Sequence, residues 1–394
     1  MSALPHLFQS ALTVTAWLIA LLWLSKAIAA ARGLPRIANL LLPQHDLTPA
    51  NSPSITVIVP ARNEAADIAA TLHSLLAQDY PNLHIIAIND RSTDHTGDII
   101  TALAAQHPQK LRAIEITDLP EGWLGKTHAM ALAARQAPSD FLLFTDGDIL
   151  FRPDAIRRSL AYAVASQADH LVTLPTTTIK RWDEAALLSF FQIFGIWAAR
   201  PWRVSDPKAK DAIGIGAFNL LRRTAYLHIG GFESLRMMVS EDLGLARRVK
   251  QAGLAQRVAF GRGLVSVHWA AGVNGLVNVM TKNTFSMFGF YPPLLLLGCV
   301  GLTVLCVAPA AGLFFHPTRL PALIALAAVA YAYRLLGRFS GLSAWNFIFF
   351  PISALTFIFT LLRSMAITLQ QGGVRWRGTF YSLAELRKNA APLR

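Results

Sequence analysis

The chain is short of charge, and above all of negative charge. Only 15% of its 394 residues are charged, and 36 Lys and Arg stand against 23 Asp and Glu, for a net charge of +13. It has two cysteines, Cys299 and Cys306, and both lie in one apolar run. That scarcity excludes a disulfide framework and places the polar part of the chain in a reducing compartment. No internal repeat or low-complexity tract interrupts the more polar region, roughly 50–285. The basic residues are scattered, with no basic-aromatic stripe, so nucleic acid is not an expected partner. A cytoplasmic membrane face with its anionic lipids suits such a charge balance better.

What the chain has in excess is apolar sequence. It is 53% hydrophobic, with a mean hydropathy of +0.40. The excess is concentrated. Leu7–Ser25, Asn283–Thr318 and Phe339–Leu362 contain no Asp, Glu, Lys or Arg. Each is close to or longer than the roughly 20 residues that cross a bilayer core. Lys26 and Arg32 follow the first run rather than precede it, so it reads as a retained anchor and not a signal peptide. Leu320–Tyr333 is apolar for only 14 residues between Arg319 and Arg334, which is short for a span. Read that way, an even number of C-terminal crossings follows. The tail, with Arg375, Arg377, Arg387, Lys388 and Arg394, then returns to the cytoplasm, where a basic tail belongs.

The expected organisation is an anchor over 1–32, a globular domain over 50–285, membrane-embedded helices over 286–369 and a basic cytoplasmic tail over 370–394. Within the globular part, "SITVIVPARNE" (54–64) reads as a buried strand ending at Pro60, with Asn63 capping the helix behind it. "LHIIAIND" (83–90), "LRAIEIT" (111–117) and "FLLFTDGD" (141–148) read as further strands, with helical patterns over 92–106 and 126–136 between them. Strands alternating with helices predict an α/β fold with a mostly parallel sheet. The run 186–202 is apolar and aromatic, and fits either a core helix or an interfacial one.

In such sheets ligands bind beyond the carboxyl ends of the strands. Asp146 and Asp148 stand at one such end with Gly147 between them, where it lets the backbone turn. Two carboxylates facing one way repel each other unless a cation lies between them. Oxygen ligands at that spacing suit Mg²⁺ or Mn²⁺, with substrate phosphates completing the shell. A solvated turn gives the same residue types. Around this pair, Arg62, Asn63 and Glu64 close the first strand, Asp90 the second, and Glu241 and Asp242 open a helical pattern in "VSEDLGLARRV". His268, after a short strand, is either a third metal ligand or a hydrogen-bonded rim residue.

"VPARNE", "NDRSTD", "TDGD" and "ED" occur in that order between 54 and 249, and together they resemble the inverting family 2 glycosyltransferases of GT-A fold. "EGWLGKTHAM" (121–130) and "GIGAFNLLRRTAYLHIGGF" (214–232) resemble segments of the lipid-modifying members. These are the ceramide glucosyltransferases and the hopanoid- and carotenoid-associated bacterial enzymes. The resemblance implies a nucleotide-sugar donor, a UDP-sugar by expectation, and a lipid acceptor at the inner membrane. It implies that Pro60, Glu64, Asp90 and Lys126 serve the nucleotide, that Asp148 with Asp146 holds Mg²⁺ or Mn²⁺, and that Asp242 is the general base beside Glu241. Trp376 and Arg377 in "VRWRGTFYSL" resemble the tail of the ceramide enzymes. The stretch 275–285 lacks the Q/R-x-x-R-W pattern with which processive synthases hold a growing chain. A single transfer is therefore expected. A polyprenyl-phosphate sugar transferase, a processive synthase and a non-catalytic membrane scaffold are the alternatives.

Overall fold

The computed structural model describes residues 3–376 and 379–389. The chain divides into two compact units, and they interleave along the sequence. Residues 37–178 and 201–269 form one, while residues up to 36, 179–200 and 270 onward form the other.

The first unit is built on a sheet. Its strands in chain order are β1 (Ala38–Asn39), β2 (Ile55–Ala61), β3 (Leu83–Asp90), β4 (Leu111–Ile116), β5 (Phe141–Phe144), β6 (Ile149–Phe151), β7 (His170–Leu174), β8 (Thr176–Thr177), β9 (Asn219–Arg222), β10 (Gln256–Phe260) and β11 (Val265–Val267). Eight of them form one sheet in the order β1-β10-β7-β9-β5-β2-β3-β4, and β6, β11 and β8 form a small second sheet. The large sheet is parallel except at β9, which runs antiparallel to both β5 and β7. Its interior strand β2 is buried at every residue, as expected for a strand covered on both faces. Side chains alternate between the faces. Val57 and Val59 pack with Leu72, Leu75 and Ile100, while Ile58 packs with Ile88, Met130, Phe144 and Leu245 on the other side. Each such Val, Ile or Leu stabilises the sheet by about 1.5–3 kcal/mol.

The expected strands and helices are found where the sequence placed them, with helices at Ile68–Leu76, Thr96–Gln106, Gly125–Arg135 and Glu241–Gln251. Two local readings are corrected. Asn63 does not cap the first helix, whose N-cap position is Asp67. Pro60 does not end β2, which continues to Ala61 beside β3. It ends only the pairing with β5. Thr145 N–H donates to Ile58 O at 3.2 Å, and the next group facing β5 is the Pro60 nitrogen, which has no proton to give. The chain after Phe144 is thereby released from the sheet at the point where Asp146 follows.

The second unit is helical. Helices over Gln9–Arg36, Pro292–Gly312, His316–Ser340 and Ala344–Gln371 are long and apolar enough to cross a membrane. The 14-residue apolar run is part of the third of these, a helix of 25 residues, so among the described residues three helices of spanning length follow residue 270. The hydropathy run measures apolarity, and Arg319, Arg334 and Arg338 extend the helix beyond it. Trp182–Ala199 is a helix of this unit. Its Trp197 stacks on Trp23 with ring centroids 5.5 Å apart, and its Phe190 lies 5.9 Å from Phe357. Trp23 Nε1 also donates to Leu305 O at 2.8 Å. That carbonyl lies four residues before Pro309, the spacing at which a proline offers no helical N–H, and the indole supplies the missing donor. Trp376 lies on a strand of this unit, Gly373–Trp376. Its side chain lies outside the described part of the structure, as does Arg377.

Candidate active site

Three parallel strands, β2, β3 and β5, deliver their carboxyl ends to one edge of the sheet. The loops after β2 and β3 are tied to each other. Asn63 and Arg91 both adopt left-handed backbone conformations, at φ 56° each. The Asn63 side-chain oxygen accepts from Thr93 N–H at 2.8 Å, Asn63 N–H donates to Ser92 Oγ at 3.1 Å, and Glu64 N–H donates to Thr96 Oγ1 at 2.8 Å. Asp94 spends its carboxylate locally, on Thr96 N–H and Ala65 N–H. Asp90 is fully buried, and the Arg91 Nε–H donates to its Oδ1 at 2.8 Å.

Asp146 and Asp148 follow β5 on the released segment. Gly147 between them is not in a left-handed conformation, and a Cβ there would make ordinary contacts, 3.5 Å from the Glu64 Cγ. The glycine is therefore not required for the turn, and the stem of Glu64 packs directly beside it. Burial first, and the neighbouring Asp146 charge second, push the Asp148 carboxyl up to about 6. The pair thus carries a charge that its surroundings do not fully compensate.

Lys126 and the start of the helix Glu241–Gln251 complete the cavity. The Lys126 Nζ lies 2.5 Å from Asp146 Oδ1 and 2.7 Å from Glu241 Oε1. Asp242 is the second residue of its helix and its Oδ1 accepts from Leu243 N–H at 2.7 Å. Its carboxyl is raised far above the ordinary carboxylate value, by burial first and by the Glu241 charge second, against the opposing pull of Lys126. Asp146, Lys126, Glu241 and Asp242 line one cavity together with Phe144, Phe232, Gly216 and Asn219. Glycines let the segment before β9 come this close. A Cβ on Gly214 would overlap the Asp242 backbone, and one on Gly216 would overlap Asp146 Oδ2.

Residues 56–230 match the family model of the glycosyl transferase family 2 domain. This region is a family 2 glycosyltransferase domain. The 4,4'-diaponeurosporenoate glycosyltransferase of Staphylococcus aureus strain USA300 is 24% identical over 348 residues, covering 85% of this chain and 90% of the relative. Among solved structures, the mannosyltransferase PcManGT from Pyrobaculum calidifontis, in complex with GDP-Man and Mn²⁺, superposes with a TM-score of 0.55 at 20% identity. The likeness covers 91% of this chain and 97% of that one. At that identity it establishes a shared fold, the GT-A arrangement.

Within the glycosyltransferase domain the expected residues fall into groups. Lys126, Asp146, Glu241 and Asp242 share the cavity, and Asp148 is two residues from Asp146 on the same segment. Glu64 packs by Gly147. Asp90 closes β3, three strands of the sheet away from β9. His268 follows β11 directly, and the antiparallel pair Val267 and Ile149 sets it on the Asp148 side of that strand. Among the described residues no three His, Cys, Asp or Glu side chains converge as a closed metal cage. A divalent cation held here would therefore rest on the Asp146 and Asp148 carboxylates and take its other oxygens from substrate and water, the habit of Mg²⁺ in phosphate sites. The under-compensated charge of Asp148 fits that demand.

Two residues escaped the sequence reading. Arg91 lies within "NDRSTD" with no sequence signal of a role, yet its side chain holds Asp90. His128 packs edge-on against Trp123, with centroids 5.5 Å apart. Its Nδ1 is buried with no hydrogen-bond partner among the described residues. Burial lowers the His128 pKa although the Asp90 charge pulls it up, so the two side chains are electrostatic neighbours. The signal was its place in "GKTHAM", two residues after Lys126.

Proposed function

We propose that this enzyme transfers a sugar from a nucleotide-sugar, a UDP-sugar by preference, to a hydroxyl of a lipid held at the membrane, in one inverting step. The observation that carries the reading is the convergence of Asp146, Lys126, Glu241 and Asp242 on one cavity at the carboxyl edge of the sheet. The acceptor class draws support from the carotenoid-type substrate in the name of the Staphylococcus relative, and from the four helices of spanning length. We place the chain in the inner membrane as a multi-pass protein, with the catalytic domain on the cytoplasmic side.

In this scheme Glu64 and Asp90 take the nucleoside, and Arg91 fixes the orientation of the Asp90 carboxylate. Asp146 and Asp148 hold Mg²⁺ or Mn²⁺, which neutralises charge on the departing nucleoside diphosphate. His268 stands by as a further ligand from the end of β11. Asp242 accepts the proton of the acceptor hydroxyl. The acceptor oxygen forms its bond to the anomeric carbon as the bond from that carbon to the diphosphate oxygen breaks, on the opposite face. Burial raises the affinity of Asp242 for a proton, which suits a base working near neutral pH.

The test combines product and metal. Full-length protein in detergent, given a labelled UDP-sugar and a membrane lipid extract, should yield a labelled glycolipid, and a labelled polymer would refute the single-transfer reading. Chelation should abolish transfer and Mn²⁺ or Mg²⁺ should restore it. Asp148→Ala should stay inactive at ordinary metal concentration. Full turnover in excess chelator would remove the metal from the scheme.

A further inference from the structure

Lys126 occupies a position that the metal reading leaves unexplained. Its ammonium bridges Asp146 Oδ1 at 2.5 Å and Glu241 Oε1 at 2.7 Å. It therefore links the segment after β5 to the start of the helix that carries Asp242. These carboxylates come from positions far apart in the chain, and several face one cavity with Phe144 and Phe232 in its wall. Like charges gathered in so confined a space repel one another unless a cation lies between them. Lys126 is the cation that offsets them, and one of the oxygens it holds belongs to Asp146, a carboxylate assigned above to the divalent metal.

We propose that Lys126 is an internal counter-cation that competes with the divalent metal for Asp146 in the empty cleft, and that moves to the donor diphosphate when metal and donor arrive together. The inference rests on the metal reading of Asp146 and Asp148. The chemistry of the side chain suits the exchange. A lysine ammonium is a point charge on a flexible four-carbon stem, so it can leave Asp146 while the helix Gly125–Arg135 stays in place. Gly216 leaves room for the exchange, because its missing Cβ lies 3.3 Å from the Lys126 Nζ. One consequence follows by linkage. The diphosphate draws Lys126 off Asp146 and thereby strengthens metal binding, and the metal strengthens diphosphate binding by the same factor. The cleft then favours the metal-loaded donor over free metal.

The test is metal binding, read without turnover. Mn²⁺ is titrated into the full-length protein in detergent and free Mn²⁺ is followed by electron paramagnetic resonance, with and without UDP and, in parallel, GDP. Lys126→Met and Lys126→Gln should bind Mn²⁺ alone about tenfold more tightly than wild type, within the coupling range of about 5- to 150-fold. Both should lose most of the tightening that the diphosphate gives wild type. Lys126→Arg, which keeps the charge, should behave as wild type. A merely structural lysine predicts the opposite sign, weaker Mn²⁺ binding in every variant, and that result or an unchanged affinity would overturn the proposal. Asp148→Ala separates the two readings. If it retains Mn²⁺ binding, the carboxylate pair is not the metal site and the metal reading fails first. If it loses Mn²⁺ while Lys126→Met and Lys126→Gln gain nothing, the metal reading stands and the counter-cation fails.

Discussion

Asp242→Asn is the substitution that bears most directly on the chemistry. Asp242 is not the cap of its helix, because the N-cap position is Ser240. The hydrogen bond its Oδ1 accepts from Leu243 N–H at 2.7 Å can be kept by the amide oxygen of asparagine. The change also removes one negative charge from a crowded acidic cavity, so the folded state should lose little and can gain. What it removes is the proton acceptor. Loss of general-base catalysis costs about 10²- to 10⁴-fold in rate, or roughly 3–5 kcal/mol at about 1.4 kcal/mol per tenfold. The donor should still bind, because the Asp146 and Asp148 pair and Asp90 are intact. Calorimetric binding of the nucleoside diphosphate should therefore stay near wild type while single-turnover transfer collapses. The pH profile adds an independent reading. Burial and Glu241 raise the Asp242 carboxyl, so wild-type activity should rise with pH across a window above the ordinary carboxylate range of about 4. The variant should lack that rise. If Asp242→Asn keeps more than about a tenth of wild-type turnover, above the range for a lost base, Asp242 is not the base. Glu241, now engaged by Lys126, would be the next residue to change.

Two further outcomes follow from the same geometry. Gly216→Ala places a methyl group against Asp146 Oδ2, so it should cost about 1–3 kcal/mol of overpacking and lower turnover at least tenfold, and a melting scan with wild-type turnover would show that the close approach is idle. His170 is fully buried between Asn219 and Gln256, with its Nε2 3.1 Å from Asn219 Oδ1 and its Nδ1 2.7 Å from Gln256 Nε2, and burial lowers its pKa from 6.5 to about 4. The neutral ring is the form the fold accepts, so its contribution is complete above pH 6.5 and is lost as pH falls toward 4, by about 3 kcal/mol at about 1.36 kcal/mol per pH unit. Thermal melting between pH 4 and 7 should show this slope in wild type and a flatter one in His170→Asn, and equal slopes would refute the assignment.

The sheet was legible because a strand covered on both faces writes itself as an unbroken apolar run, as in "ITVIV" and "FLLF". β9 was not, because "NLLR" is four residues long and runs against its neighbours, and only the pairing with Phe141–Phe144 and His170–Val172 reveals it. The helix Trp182–Ala199 could not be allotted from composition, since Phe, Leu and Trp serve a domain core and a membrane helix equally well. Its aromatic partners Trp23, Phe350 and Phe357 decide the matter, and they lie more than 150 residues away on either side in the chain. The 14-residue run between two arginines was misread for a related reason. Arginine ends an apolar run but is a good helix former, so the helix passes through Arg319 and Arg334 without a break.

The site divides along the same line. Asp146, Asp148 and Asp242 could be picked out because each stands at the end of a strand or the start of a helix, where chain direction alone sets what it faces. Lys126 also stands at the start of a helix, Gly125–Arg135, but its partners could not be read from there. Its meaning comes from Asp146, which lies 20 positions later, and from Glu241, which lies 115 positions later. Charge pairing across loops has no period, so no window of sequence contains it. Asp90 is the intermediate case. Its position after β3 was visible, and the residue that orients it was its own neighbour, Arg91, in a left-handed conformation that no propensity scale favours for arginine. Strain of that kind, at about 1–3 kcal/mol for each such residue, persists only where surrounding bonds fix it. Here the surrounding bonds join the two loops after β2 and β3, Asn63 to Thr93 and Ser92 to Asn63. The left-handed Asn63 and Arg91 are thus held by one shared lattice, and that lattice aims the only carboxylate of β3 at the edge where the parallel strands end.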